Sequence, residues 1–374
     1  MTNTMKNSGP VEIRLVGGFL GSGKTTAISR IAAACAADGR RVGIITNDQA
    51  EGLVDTATFR SQGWNTEEIS GGCFCCRFDD LLSAADRILE RHRPDILLCE
   101  PVGSCTDIVA TVIRPLQELH GDRFSVAPYV VLLDPERARR ALTGTGAAGF
   151  GAKVSYIYQM QQNEATVIAI NKADTLGESD RAELQALVER TFPNAEVMMV
   201  SARTGEGFDR LMARMDRTGK SQTRSVDVNY DEYAEGEAAL GWLNAEYVLE
   251  SQTVFQLDAV LLDLAGRIDA ELKRDASEPA HVKLLLQCDV GSARANIVSS
   301  FAPPELSVAS GACAKRASLI INARVEESPS QLARVVGDAL STVAVSHDLV
   351  ISTQEIRTLS PGRPTPTHRI LDHV

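Results

Sequence analysis

From Val11 to about Met215, short apolar runs alternate with stretches of helical spacing. Val11–Phe19, Arg41–Asn47, Asp95–Glu100, Val126–Leu133, Ala165–Asn171 and Glu196–Ser201 carry Val, Ile and Leu on both faces, as strands covered on both sides by helices do. Between the first two, Ile28, Ile31, Ala32 and Cys35 share one face of a helix that Gly39 ends. Strand–helix alternation of this kind predicts an α/β fold with a mainly parallel sheet. Residues 136–152 are glycine-rich without a clear period and are expected to form a surface loop. The Arg137–Arg140 group reads as a solvated face rather than a phosphate clamp.

Around Thr218–Asp231 the chain turns polar, which predicts a linker, placed at 218–236. Beyond it the period changes. Leu243, Ala245, Tyr247 and Leu249 alternate as a half-buried strand, and Leu257, Leu261, Leu264, Ile268 and Leu272 follow helical spacing. Val282, Leu284, Leu286 and Cys288 alternate again, as do Leu319, Ile321, Ala323 and Val325. Ser328-Pro329-Ser330-Gln331 forms a capping box with Pro at the first helical position, ahead of Leu332, Val336, Leu340 and Val343. A last strand is expected at Leu349–Leu359. The reading is a first domain at 11–217 and a smaller C-terminal α+β domain at 237–360, a mostly antiparallel sheet with two helices. The tail from Ser360, with its prolines, is expected to be loose.

Length fits this division, since 374 residues suggest two domains of roughly 100–200 residues each. The 49 acidic and 38 basic residues leave a net charge of −11, which argues against nucleic acid or an anionic membrane as partner. No apolar run approaches the ~18 residues that span a bilayer, and Met1–Pro10 lack an apolar signal region. A cytoplasmic protein is expected. At this length eight cysteines do not make a disulfide scaffold, and Cys73, Cys75 and Cys76 cluster as metal-binding or redox thiols do in a reducing compartment.

Gly18-Phe19-Leu20-Gly21-Ser22-Gly23-Lys24-Thr25 fits G-x-x-x-x-G-K-[ST] between the first strand and first helix. Glycines let consecutive backbone N–H groups turn toward phosphates, and the helix N-terminus adds its positive end. Lys24 is expected on the β- and γ-phosphates, Thr25 on Mg²⁺, and Thr26 beside them. The first domain is thus expected to be a P-loop NTPase. Asn171-Lys172-Ala173-Asp174 follows a buried strand and fits N-K-x-D. The Asp174 carboxylate can accept from guanine N1–H and the 2-amino group, whereas adenine leaves it unpaired. Ser201-Ala202 ends the next strand, where a backbone N–H can meet guanine O6. GTP is the expected nucleotide.

Glu100-Pro101-Val102-Gly103 ends an apolar strand, which places a carboxylate at the Mg²⁺ shell and a glycine N–H at the γ-phosphate. Lys24, Thr25, Glu100 and Gly103 form the expected hydrolytic set. Asp48 and Glu51, after the second strand, could sense the γ-phosphate. No residue stands out as the one that orients attacking water, so slow intrinsic hydrolysis is expected until a partner, a metal or a homodimer completes the site. Gly71-Gly72-Cys73-Phe74-Cys75-Cys76 supplies three soft thiolate ligands suited to Zn²⁺ or Cu(I), with cobalt or nickel also held. A redox pair and a plain tight turn remain open readings. Cys105 and Glu51 are candidates for a fourth ligand, and Cys35 reads as core.

The P-loop GGFLGSGKTT, the GGCFCC cluster, the EPVG strand end and NKAD, in this order, resemble the CobW-type GTPases over roughly residues 11–215. These are relatives of the nickel-insertion GTPases that mature urease and hydrogenase. The resemblance implies a GTP-dependent metallochaperone in which Cys73, Cys75 and Cys76 bind a transition metal near the switch regions and Glu100 serves the Mg²⁺ shell. It also implies a client metalloprotein or cofactor enzyme, chosen by the C-terminal domain. Three features depart from the family pattern. Ala50 replaces the usual Gly before Glu51, no histidine-rich tract is present, and the C-terminal domain is alike only in its α+β pattern. Two alternatives follow: a GTP-gated assembly or protective chaperone of a cofactor enzyme (a corrinoid enzyme, for example) that carries no free metal, and a thiol redox sensor.

Overall fold

The computed structural model describes residues 9–48, 54–143, 149–217 and 224–372. Eight strands form one sheet: β1 (Val11–Gly18), β2 (Val42–Asn47), β3 (Asn65–Ile69), β4 (Ile96–Glu100), β5 (Phe124–Val126), β6 (Val130–Leu133), β7 (Val167–Ile170) and β8 (Glu196–Met199). The order is β3-β2-β4-β1-β6-β7-β8, with β5 also on β1, and every pairing is parallel. Helices cover both faces. Ile28, Ile31, Ala32 and Cys35 of the helix Lys24–Ala37 pack with Val16, Ile44, Leu98 and Leu132 on one side. Ile13, Leu15, Ile45 and Leu97 meet Phe78, Leu81 and Ile88 of the helix Phe78–His92 on the other. Apolar side chains on both faces of each central strand are therefore buried, as the runs of Val, Ile and Leu require.

A second sheet has six antiparallel strands: β9 (Gly241–Gln256), β10 (Pro279–Cys288), β11 (Gly291–Ile297), β12 (Glu305–Val308), β13 (Cys313–Val325) and β14 (Val350–Leu359), in the order β12-β11-β10-β13-β9-β14. The helices Leu257–Arg274 and Pro329–Ser346 pack on one face, joining Leu261, Leu264, Leu332 and Val336 to Leu284, Leu286, Leu319 and Ile321. Ser328 Oγ accepts the Gln331 N–H at 3.3 Å and Pro329 stands at the first helical position. The opposite face carries Lys283, Asn322 and Arg324, and it meets the first sheet: Val54 N donates to Asn322 Oδ1 at 2.7 Å, and Arg324 pairs with Asp48 at 2.5 Å.

Six readings need correction. Val126–Leu133 is two strands, because Pro128 offers no N–H to continue the ladder. β3 went unread because an edge strand of sequence Asn-Thr-Glu-Glu-Ile has little apolar pattern. Residues 136–152 contain most of a helix, Pro135–Thr143, and the start of another, Ala152–Asn163. Arg137 is buried rather than solvated: it pairs with Glu278 at 3.3 Å, donates to Pro279 O at 2.7 Å and covers the Phe150 ring. Within the stretch expected as a linker, 218–223 lie outside the described residues, and Tyr230–Ala238 is a helix with Tyr233 and Glu237 buried.

The sixth concerns the tail, which is docked. Thr365 N donates to Cys76 Sγ at 3.2 Å, Thr367 N to Cys75 O at 2.9 Å and Ile370 N to Ala110 O at 2.8 Å. Arg369 pairs with Asp107 at 2.8 Å, and His368 meets the edge of Phe78 with ring centroids 5.1 Å apart. Prolines here set an extended strap whose own amides donate to its neighbours. Among the described residues no helix is long and apolar enough to cross a membrane.

Candidate functional site

The phosphate loop closes between β1 and the helix Lys24–Ala37. Gly23, the residue before the helix, has φ 92°, and a Cβ there would stand 2.4 Å from Asn171 Nδ2, so only glycine fits. Lys24 is buried and folds over the loop, donating to Gly18 O at 2.9 Å and Phe19 O at 3.4 Å. Burial lowers its pKa to about 8 despite the pull of Glu100. Gly103 approaches closely: a Cβ on it would lie 2.9 Å from Lys24 Nζ. Ser22 Oγ and Glu100 Oε2 are buried with no hydrogen-bond partner among the described residues, which suits a site built for phosphate and a hydrated cation.

Thr25 Oγ1 donates to Asp55 Oδ1 at 2.6 Å and stands 3.3 Å from Glu100 Oε1. Burial, with Asp55 as a second cause, raises the Glu100 pKa to about 7. Burial works against charge on Asp55 too, but the Lys283 ammonium and hydrogen bonds from Lys283 and Thr25 hold it below the usual carboxylate value. Asp55 was missed in the sequence, where Asp48 and Glu51 drew attention. The available signal was its place in the first turn of the helix Val54–Ser61, directly after the second strand. Glu51 lies outside the described residues.

The N-K-x-D residues brace the phosphate loop and the next strand end together. Asn171 Nδ2 donates to Ser22 O at 2.8 Å, and its Oδ1 accepts Ala202 N at 2.9 Å. Lys172 bonds Gly21 O at 2.9 Å and Asp134 at 2.7 Å. Asp174 accepts from Ser201 Oγ at 2.6 Å and pairs with Arg203; these bonds outweigh burial and keep it ionised. An open groove lined by Thr26, Arg30, Ala202 and Arg203 runs beside them.

The thiols sit on the loop after β3. Cys73 Sγ is 2.7 Å from Cys75 Sγ and 3.4 Å from Cys76 Sγ, and Cys75 and Cys76 are 3.7 Å apart. All are free, and these three sulfurs form a group able to hold a metal ion. Asn47, at the end of β2, fixes the loop: it donates to Ile69 O at 3.1 Å and Gly72 O at 2.7 Å and accepts Phe74 N at 2.8 Å. Cys105, two residues past Gly103, is buried against Cys73 and Cys75. Hydrogen bonds from Cys105, Cys75 and Cys76 hold Cys73 well below the usual thiol value. Its neighbours move the other way, Cys76 up to about 11 through its bond to Cys73. The arrangement thus favours negative charge on Cys73 and protons on its neighbours, protons that a bound cation would displace.

A family model described as CobW/HypB/UreG, nucleotide-binding domain, matches residues 12–199. The chain is 27% identical over 226 residues to a zinc chaperone CobW of Sinorhizobium, covering 55% of this chain and 63% of that protein. It is 30% identical over 172 residues to the zinc chaperone YeiR of Escherichia coli, covering 45% and 48%. The match thus spans less than two thirds of these relatives. Among solved structures, HypB from Helicobacter pylori in complex with nickel aligns at a TM-score of 0.41 and 17% identity, over 57% of this chain and 91% of that one. Zn(II)-bound YjiA GTPase from E. coli aligns at 0.38 and 15%, over 89% and 99%.

Proposed function

The chain belongs to the CobW/HypB/UreG family of P-loop GTPases, and from that premise we propose that it is a GTP-hydrolysing metallochaperone that carries a thiolate-bound transition metal to a client protein. The observation that carries the reading is Asn47. One side chain at the end of β2 makes two bonds to the Gly71–Cys76 loop and one to Ile69 beside it, and its neighbour Asp48 belongs to the segment assigned to γ-phosphate sensing. A change in that segment reaches the thiols through a single residue step.

GTP seats on the Gly18–Thr25 loop with Lys24 on its phosphates and Asp174 on its base. Mg²⁺, when bound, neutralises the β- and γ-phosphate oxygens, and Thr25, Asp55 and Glu100 are the residues that would hold it and its water. Lys24 exchanges its carbonyl partners for phosphate oxygens, and Gly103 offers its N–H at the γ end. Zinc is the preferred cargo, because thiolates are soft ligands and the relatives that match are zinc chaperones. No residue stands out in the sequence as the one that orients water, so unassisted turnover is expected well below ~1 s⁻¹, against a typical ~10 s⁻¹ for enzymes. The second sheet is the region assigned to client choice.

The deciding experiment is a competition titration of Zn²⁺ in the presence of GDP and of a non-hydrolysable GTP analogue, repeated on Cys75→Ser/Cys76→Ser. Nucleotide-dependent affinity that the double variant loses supports the proposal. Equal affinity in both states, or an unaffected double variant, refutes it.

A further inference from the structure

One cation in the nucleotide pocket comes from the second sheet. Lys283 lies on β10, and its Nζ stands 2.7 and 2.6 Å from the two carboxylate oxygens of Asp55. Asp55 is the group that accepts the Thr25 hydroxyl, and Thr25 Oγ1 is 3.3 Å from Glu100. The ammonium therefore borders the pocket where P-loop threonine and two carboxylates converge, within electrostatic range of both Lys24 and Glu100. β10 itself is seated on the phosphate loop, since a Cβ on Gly21 would lie 3.1 Å from Ala280 O. The same sheet pairs Arg324 with Asp48, so Asp48 and Asp55 are each matched by a cation of the second sheet.

We propose that Lys283 is a nucleotide-site residue supplied by the second sheet, whose ammonium neutralises the γ-phosphate end of bound GTP and ties the seating of that sheet to the presence of the γ-phosphate. This rests on the GTP reading above. Without nucleotide, two ammonium groups (Lys24 and Lys283) face two carboxylates (Asp55 and Glu100), and their charges offset one another. GTP brings one more phosphoryl group than GDP to this end of the pocket. A second cation is then worth more to GTP than to GDP, and a flexible four-carbon stem lets the ammonium pass from Asp55 to a phosphate oxygen. Arg324 differs: its attractive partners are Asp48 and Asp55.

The test uses the full chain with Mg²⁺ and fluorescent GDP or a fluorescent non-hydrolysable GTP analogue. Lys283→Gln keeps an N–H for Asp55 but removes the charge, and Lys283→Arg keeps the charge. Lys283→Gln should lose roughly tenfold or more in affinity for the GTP analogue and less than threefold for GDP, with Lys283→Arg recovering most of the loss. Equal losses for both nucleotides, or none, overturn the proposal and leave Lys283 as an inter-sheet ion pair. Hydrogen exchange on the wild type provides a measurement independent of any variant. Amides of β10 should be better protected with the GTP analogue than with GDP, and equal protection overturns the proposal. Wild type that binds neither nucleotide sinks the GTP reading itself, a result distinct from normal binding with an indifferent Lys283.

Discussion

Two groups in the nucleotide pocket titrate near neutrality, and they act in opposite directions. Glu100, raised to about 7 by burial, is protonated below that pH in the nucleotide-free protein. A bound divalent cation favours its carboxylate, so binding expels the proton and weakens as pH falls below about 7. Lys24, lowered to about 8 by burial, is neutral above that pH, whereas phosphate favours the ammonium, so binding weakens as pH rises above about 8. Affinity for Mg²⁺·GTP should therefore peak between the two values and fall by up to about tenfold per pH unit on either side. Equilibrium titrations from pH 5.5 to 9.5 (roughly one to two units beyond each value) read this directly, and a flat profile contradicts it. Asp174→Asn should weaken GTP and favour xanthosine triphosphate, because the amide can donate to the 2-oxo group of xanthine; unchanged GTP affinity would show that Asp174 does not read the base. Residues whose chemistry is local, such as the glycines and Lys24 of the phosphate loop, were legible from spacing alone. Asp55 and Lys283 were not, because their partner lies 228 positions away and no local pattern records the pair.

Among the elements, the thiol loop depends on neighbours that sequence spacing does not reveal. Asn47→Ala removes two hydrogen bonds from that loop and a third from Ile69 beside it, each worth about 0.5–1.5 kcal/mol. Zn²⁺ affinity should fall by roughly tenfold and lose its dependence on nucleotide, measured by the same competition titration. The strap beyond Ser360 covers the one thiol of the three that is only partly buried, and its amide at Thr365 bonds that sulfur. Ending the chain at Ser360 should speed the reaction of Cys76 with a disulfide reagent by several-fold; an unchanged rate would show that the strap does not shield it. The strands and the first helix were readable because burial on both faces writes a continuous apolar run. The strap was not, since its hold comes from backbone amides, Arg369 and His368, and prolines in sequence signal only the lack of a helix.

For the whole molecule, the separate sheets were legible and their mating was not. In β10 and β13 alternate positions are apolar, which identifies the face under the two helices. The intervening Lys283, Asn322 and Arg324 read as solvent-facing, yet they meet the nucleotide pocket and its flanking segment. Thiols, nucleotide segment and second sheet are thus physically continuous, and any coupling between them must be reciprocal. If GTP tightens Zn²⁺, Zn²⁺ must tighten GTP by the same factor, typically 5–150-fold. Calorimetric titration of the GTP analogue with and without Zn²⁺ checks the coupling, and the same GTP-analogue affinity in both would show that the thiols and the nucleotide are not linked.

Birth order gives the strap a further consequence. Thr365 stands 289 positions after Cys76, so at about 5–20 residues per second it leaves the ribosome roughly 15–60 s after the thiol loop. During that interval the nascent chain carries its cysteines uncovered. A metal ion or an oxidant that arrives in that interval meets the thiols of a chain still being made, before the segment that later lies across them exists.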